Sequence, residues 1–355
     1  MTLYGLTILF SASQPLGPEI HLFRKQVLWA MVAVGCWFFL YRIQLDKLQR
    51  YSIWIAVITL ILLVVVLIPK VGVFVNGTRR WISLGGMRLQ PSEPAKIGFV
   101  IFFSYFLANY VQRLDHWFYG FIRPLMVLAL YILTIMLEPD FGTAFLFGTV
   151  GIFLLFLRGL RLRFIVPTAV CAFLLFAIIV YFNPVRLKRI TAFLDLEGNR
   201  LTGAYQLWQS LIAFSTGQWS GVGLGQGRQQ YFFLPEAHTD FILAVLAEEL
   251  GVWHVLIVLL CFAAIAWAGL RITKMLGDPF LFFIGMGSIC FLIFQVFLNV
   301  GVVTGLLPTK GIALPFLSYG GSNLCASFAF IGLLMNLGKH PYGIACAKKE
   351  KLEVL

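Results

Sequence analysis

Ten apolar stretches, bounded by charges or by proline and glycine, constrain what this chain can fold into more than any other feature of its 355 residues. They lie at about 1–12, 26–41, 52–69, 92–110, 124–137, 141–157, 164–182, 240–270, 279–305 and 324–337. A soluble domain is typically about 25% charged, whereas 12% of these residues are charged and 60% are hydrophobic. So little polar surface cannot face water, and the chain reads as an integral membrane protein. Backbone in lipid must satisfy its own hydrogen bonds, and the alternation of barrel strands is missing from the sequence. An all-α polytopic bundle of about ten spans follows. Disordered, collagenous and disulfide-scaffold classes are excluded by the same composition. The six cysteines fall at no metal-ligand spacing and read as small apolar residues. No cleavable signal peptide is read. The opening run of about a dozen apolar residues is shorter than the roughly 20 a span needs, so the first span is expected to be clipped or to begin upstream.

Lysine and arginine number 27 against 15 aspartates and glutamates. In this setting the excess is an orientation signal and a possible lipid contact, not a nucleic-acid footprint. With a cytoplasmic C-terminus, the inner segments 42–51, 111–123, 158–163, 271–278 and 338–355 carry 14 cations in about half the length in which the outer segments carry 12. An even number of spans then puts both termini inside, with 338–355 as a basic cytoplasmic tail. Two outer segments break the trend. Residues 70–91 hold Lys70, Arg79, Arg80 and Arg88, and the long connection 183–239 holds five further cations. A basic outer segment opposes the topology rule, which points to an anionic ligand on that face. The long connection is expected to carry function. Within it, Leu201 to Phe214 has helical spacing, and GQWSGVGLGQG is glycine-dense but lacks the basic ending of a nucleotide loop.

Ionisable groups inside or beside a bilayer cost several kcal/mol unless paired or hydrated, so each one is a functional candidate. Glu93 and Lys96 sit at i, i+3 in a helix with proline in its first turn; they read either as an ion pair at the helix start or as a lysine that faces a cavity. The turn Glu138-Pro139-Asp140 has two carboxylates where one would suffice as a cap, so the second is expected to pair with Arg79, Arg80 or another cation. Pro235-Glu236-Ala237-His238-Thr239-Asp240 leads into an apolar run that embeds Glu248 and Glu249. Asp240 reads there either as a cap or dipole partner or as a working carboxylate. Near the end, LPTKG and PFLSYGGS break the apolar pattern with prolines and glycines, as broken helix lining a cavity does. Lys310 is the charge in that segment, read either as snorkelling or as part of a site.

At this point NGTRRWISLGGMRLQPSEPAK, EPDFGTA, AYQLWQS, GVGLGQG, LPEAHTDFI, AEELG and GLLPTKGIALPFLSYGGS resemble, in order, the motifs of the SEDS proteins of shape, elongation, division and sporulation. PEAHTDF and LPTKG are more similar to the division branch than to the elongation branch. The resemblance implies a glycosyltransferase of the bacterial inner membrane, placed at the division septum, that polymerises lipid II. It would work with a class B penicillin-binding protein, the transpeptidase, and with other division proteins. It carries the family's essential aspartate onto Asp240 as the catalytic residue. Substrate-binding roles fall on Arg79, Arg80, Glu93, Lys96, Asp140, Glu236, His238, Lys310 and Ser318. No metal site and no cofactor is read from the sequence, and a divalent cation is left open. The wording after the glycines of GQWSGVGLGQGRQQ departs from the family, as does Asn323 where serine is usual.

The residue types suit that chemistry. A lipid diphosphate leaving group gains charge as the glycosidic bond breaks, and guanidinium groups match phosphate oxygens. A sugar hydroxyl is a poor nucleophile, and a placed carboxylate taking its proton supplies roughly 10² to 10⁴-fold. One inversion at the anomeric carbon requires no covalent intermediate. Two other readings stay open: a lipid II flippase, which should carry polar residues through to the cytoplasmic side, and a non-catalytic division scaffold.

Overall fold

The computed structural model describes residues 1–13, 20–75, 78–85, 87–109 and 117–340. Most of the expected basic tail, Cys346 and part of the 111–123 connection lie outside the described residues. Helices α1 (Thr2–Ser13), α2 (Ile20–Arg42), α3 (Leu45–Arg50) and α4 (Ser52–Val65) come first. A three-stranded antiparallel sheet follows, β1 (Gly72–Val75), β2 (Thr78–Leu84) and β3 (Met87–Leu89), in the order β1-β2-β3. Then come α5 (Ser92–Asn109), a π-helical turn at Trp117–Ile122, α6 (Arg123–Leu137), α7 (Phe141–Leu157) and α8 (Leu162–Tyr181). The long connection holds α9 (Pro184–Leu194), α10 (Tyr205–Gly217) and the single turn α11 (Gln229–Phe232). Helices α12 (Ile242–Leu250), α13 (Val252–Lys274), α14 (Pro279–Val303) and α15 (Gly321–Leu337) complete the order.

Among the described residues five helices are long and apolar enough to cross a membrane, and four shorter apolar helices accompany them. Adding α5, whose Glu93 and Lys96 dilute its apolar character, every expected stretch carries a helix. Two features differ from expectation. The run 240–270 is not one helix: it breaks at Gly251, whose φ of +83° suits glycine and where a Cβ would collide with the Trp219 carbonyl. The basic segment 70–91 is a sheet, not a plain loop. Its β-branched and aromatic residues are separated by Asn76-Gly77 and Gly85-Gly86, dipeptides that signal hairpins.

The chain forms two compact units. One is made of Met1–Leu28, Val166–Ala263 and Gln295–Gly320; the other of Trp29–Ile165, Ala264–Phe294 and Gly321–Leu355. The second unit is centred on buried rings. Phe99 packs against Tyr131 and Phe147 at 5.2 Å each, Phe147 against Phe291 at 5.1 Å, and Phe291 against Phe330 at 5.8 Å. Such pairs contribute about 0.5–1.5 kcal/mol each beyond area burial, and in lipid, where burial itself drives little, interlocking shape is what joins helices. The first unit is centred on α12, buried from Ile242 through Glu249. The apolar run 240–270 is thus longer than one span because it holds two helices, the nine-residue buried α12 and the 23-residue α13.

Candidate functional site

The predicted site residues fall into two clusters, one in each unit. In the first unit the turn at 235–241 delivers Asp240 immediately before α12. The N-cap position of α12 is held by Phe241, with no side-chain cap, and Asp240 is the residue before it. Its carboxylate lies against the broken segment 306–320: a Cβ built on Gly311 would be 2.9 Å from Asp240 Oδ2. Lys310 is the residue before that glycine, and its ammonium stands 5.4 Å from the centroid of the Phe176 ring, a cation–π contact. His238 meets the Tyr319 ring edge-on at 5.9 Å, and its carbonyl accepts from the Tyr319 N–H at 2.9 Å.

Glu236 is exposed and holds the turn. It adopts a φ of +56°, unusual for a residue with a side chain, its carboxylate accepts from the Thr239 hydroxyl at 2.9 Å, and its carbonyl accepts from the N–H of Thr239 and of Phe241. Strain of this kind gathers at working sites and is held by surrounding bonds. Phe316, at φ +65°, is a second instance, in the segment facing the turn's residues His238 and Asp240. Ser318, expected to bind substrate, is 1% exposed and its hydroxyl accepts from the Leu314 N–H at 2.7 Å. The hydroxyl thereby helps to fix the shape of the segment. Gln26 adds to this, donating to the Ser318 carbonyl and accepting from the Gly320 N–H.

Glu248 and Glu249, fully buried, fasten the glycine-rich loop. Glu248 accepts from the N–H groups of Arg228 and Gln229, and Glu249 from the Gly225 N–H at 3.0 Å and the Ser11 hydroxyl at 2.6 Å. Backbone bonds from Val222 and Gly223 to the Glu248 and Glu249 carbonyls complete the fastening.

In the second unit the two arginines part company. The register of β2 is irregular here: Val73 pairs with Trp81 and Phe74 with Arg79, so Arg80 is an extra, bulged residue, and the two arginines reach different partners. Arg80 grips the turn after α6: its Nε donates to the Glu138 carbonyl at 3.0 Å, Nη2 to the Pro139 carbonyl, and Nη1 lies 3.9 Å from Asp140 Oδ1. The expected pairing of Asp140 with an arginine is thus present, and Asp140 caps α7 as well, accepting from Thr143 N–H and hydroxyl. Gln90 also donates to it at 3.3 Å. Arg79 lies over Phe74, 5.8 Å from its centroid, with a buried Nε that has no hydrogen-bond partner. Glu93 and Lys96 form a buried ion pair at 2.7 Å, with Glu93 Oε2 left without a partner. Glu138 is fully buried with both carboxylate oxygens unpartnered, and burial together with nearby Asp140, against Arg80, pushes its pKa up to about 8. Among the described residues no group of three or more His, Cys, Asp and Glu side chains is placed to hold a metal.

Sequence reasoning missed the fastening role of Glu248 and Glu249 and the amide of Asn299. Asn299 donates to the Asp240 carbonyl at 2.8 Å and the Ile312 carbonyl at 2.7 Å. A polar residue inside the apolar stretch 279–305 was the available signal.

Comparison with known proteins identifies relatives of this chain. Residues 1–342 match the model of a cell cycle protein family that takes in FtsW, RodA and SpoVE. A probable peptidoglycan glycosyltransferase FtsW from Hahella chejuensis is 38% identical, over 94% of this chain and 86% of its own. Another of the same description from Halorhodospira halophila is 40% identical, over 98% of this chain and 89% of its own. Among solved structures, a chain of a peptidoglycan synthase complex that coordinates polymerization and crosslinking superposes with a TM-score of 0.77. It is 25% identical, covering 96% of this chain and 97% of that one.

Proposed function

Because the chain belongs to the cell cycle protein family of FtsW, RodA and SpoVE, we propose that it is the peptidoglycan glycosyltransferase of that family, polymerising lipid II during division with Asp240 as its general base. The observation that carries the reading is the setting of Asp240: half-buried, outside the helix cap, and held against the segment that bears Lys310. A carboxylate so placed can take the proton of the acceptor sugar hydroxyl as that oxygen attacks the anomeric carbon of the donor. The bond to the diphosphate breaks with inversion, the electron pair leaves on the phosphate oxygen, and a lysine or arginine stabilises the charge that develops there. Lys310 is assigned to that charge, and Arg79, with an unfilled donor, to the phosphate-bearing part of donor or product. Arg80, Asp140, Glu93 and Lys96 support the arginine-bearing sheet and the helices beside it, while Glu236 and His238 shape the turn that presents Asp240.

The orientation proposed is outward for the 183–239 connection and for Lys310, with both termini cytoplasmic, in the inner membrane at the septum. A lipid-linked donor explains why a glycosyltransferase is built from membrane helices. The likeness to one chain of a complex that joins polymerization to crosslinking supports a class B penicillin-binding protein as partner. The test is polymerisation of labelled lipid II by the purified chain with that partner. Asp240→Asn keeps size and hydrogen bonding but not the proton acceptor, so insertion and partner binding persist while the rate falls by at least about 10². Glycan strands made at near the unmodified rate would remove Asp240 from the mechanism and leave the flippase or scaffold readings.

A further inference from the structure

We propose that Asn299 is a positioning residue for glycosyl transfer, its single amide group holding the Asp240 turn and the Lys310–Ile312 segment at a fixed separation. The inference rests on the assignment of Asp240 as the base. Asn299 lies on α14, 2% exposed, and its nitrogen reaches two carbonyls of different segments at 2.8 and 2.7 Å. An amide nitrogen has two hydrogens and no acceptor lone pair. Both hydrogens are therefore spent here, one on the backbone of Asp240 and one on the backbone two residues after Lys310. The Asn299 carbonyl oxygen is buried and without a partner. That arrangement fixes which way the amide points: turned over, its oxygen would face two other oxygens. It also leaves a buried acceptor unsatisfied.

The two bridged segments also meet through the Tyr319 N–H, which donates to the His238 carbonyl at 2.9 Å, at the far end of the 306–320 segment. The turn carries a residue at φ +56°, and the 306–320 segment one at φ +65°. Neither is helical at the bridged carbonyl. The rigid part is α14, which brings Asn299 to both, and Gln295 one turn earlier donates to the Ala313 carbonyl at 2.7 Å. One helix face thus aligns the base with the cation that follows it in the reaction. A displacement of about 1 Å in a catalytic group can cost 10²-fold in rate, so the amide acts through the placement of Asp240 and Lys310 and not through contact with substrate.

The experiment compares Asn299→Ala and Asn299→Ser in the full chain with its transpeptidase partner, following labelled lipid II polymerisation and thermal unfolding in detergent. Asn299→Ala is expected to lower kcat by about 10 to 100-fold with KM for lipid II held within about twofold, and Asn299→Ser, which keeps one donor, to fall between it and the unmodified chain. An unchanged kcat, or a KM and a melting temperature that move together with it, overturns the proposal in favour of a scaffold role. If the alanine variant does not insert, the serine variant decides by the same split, and unmodified kcat in that variant overturns it. Failure here is separable from failure of the functional reading: an active Asp240→Asn chain sinks the base assignment, whereas an inactive Asp240→Asn beside a fully active Asn299→Ala sinks only the role of Asn299.

Discussion

Asp240 and Gly311 approach so closely that a Cβ on Gly311 would stand 2.9 Å from Asp240 Oδ2. The neighbour that would have to give way is the tip of a side chain rather than backbone, so an alanine can be accommodated by turning the carboxylate. Gly311→Ala is therefore expected to fold and melt within a few degrees of the unmodified chain and yet lose at least about tenfold in lipid II polymerisation, since misplaced catalytic groups are costly. A variant that melts far earlier, or one of full activity, would show that the contact does not set the position of the base.

The two arginines of β2 should fail in different ways. Arg79→Ala removes a guanidinium with an unfilled donor, and weaker use of lipid II by about 1.5–3 kcal/mol per lost charge-assisted bond is expected as a higher KM. Arg80→Ala instead releases the Glu138-Pro139-Asp140 turn, so its melting temperature drops. Arg80→Lys restores charge but not the fork that spans two carbonyls, and recovers little. Equal KM effects for both residues, with no change in melting, would contradict the division of labour that their different partners imply.

Which parts of this were legible beforehand follows from the range of each signal. Apolar length is a property of a window, so the stretches at 26–41 or 279–305 announced α2 and α14 directly. The sheet at 72–89 was missed because a window wide enough for spans averages over hairpins, although Asn76-Gly77 and Gly85-Gly86 stood in the sequence. Asp140 and Asp240 look alike in the sequence, each an acid at the start of a helix; the fold puts Asp140 at the N-cap of α7, accepting from the Thr143 N–H, and Asp240 one residue before the N-cap position of α12. Ser318 enters through the family resemblance of its motif, and the contact of its hydroxyl with the Leu314 N–H is visible only in the folded chain. Asn299 carries no charge, and a search for costly charges passes over a neutral amide that is costly for the same reason.

The glycine-rich loop should open when its fastening is cut. Glu248→Ala deletes the acceptor for the Arg228 and Gln229 N–H groups, bonds to a charged group that contribute roughly 1.5–3 kcal/mol. Arg228 is exposed, and tryptic cleavage after it should accelerate by about tenfold or more under native conditions, because such nicking follows the local opening equilibrium. An unchanged digestion rate would mean that the backbone bonds from Val222 and Gly223 hold the loop by themselves.

Glu138 makes the stability of the chain depend on pH in a direction opposite to that of ordinary carboxylates. Its folded pKa is raised from 4.5 to about 8 by burial and by Asp140, with Arg80 acting against them. The folded state thus holds a proton that the unfolded state has released, and where the folded state binds more protons, stability falls as pH rises. The contribution is fully present below about pH 4.5, is lost progressively as pH climbs through about 8, and is flat beyond. Glu138→Gln replaces the protonated acid by a neutral isostere that cannot ionise. Melting temperatures in detergent from pH 5 to 9 should therefore decline less steeply in this variant than in the unmodified chain, and at pH 9 the variant should be the more stable of the two. Parallel melting curves across that range would show that Glu138 keeps an ordinary carboxylate pKa.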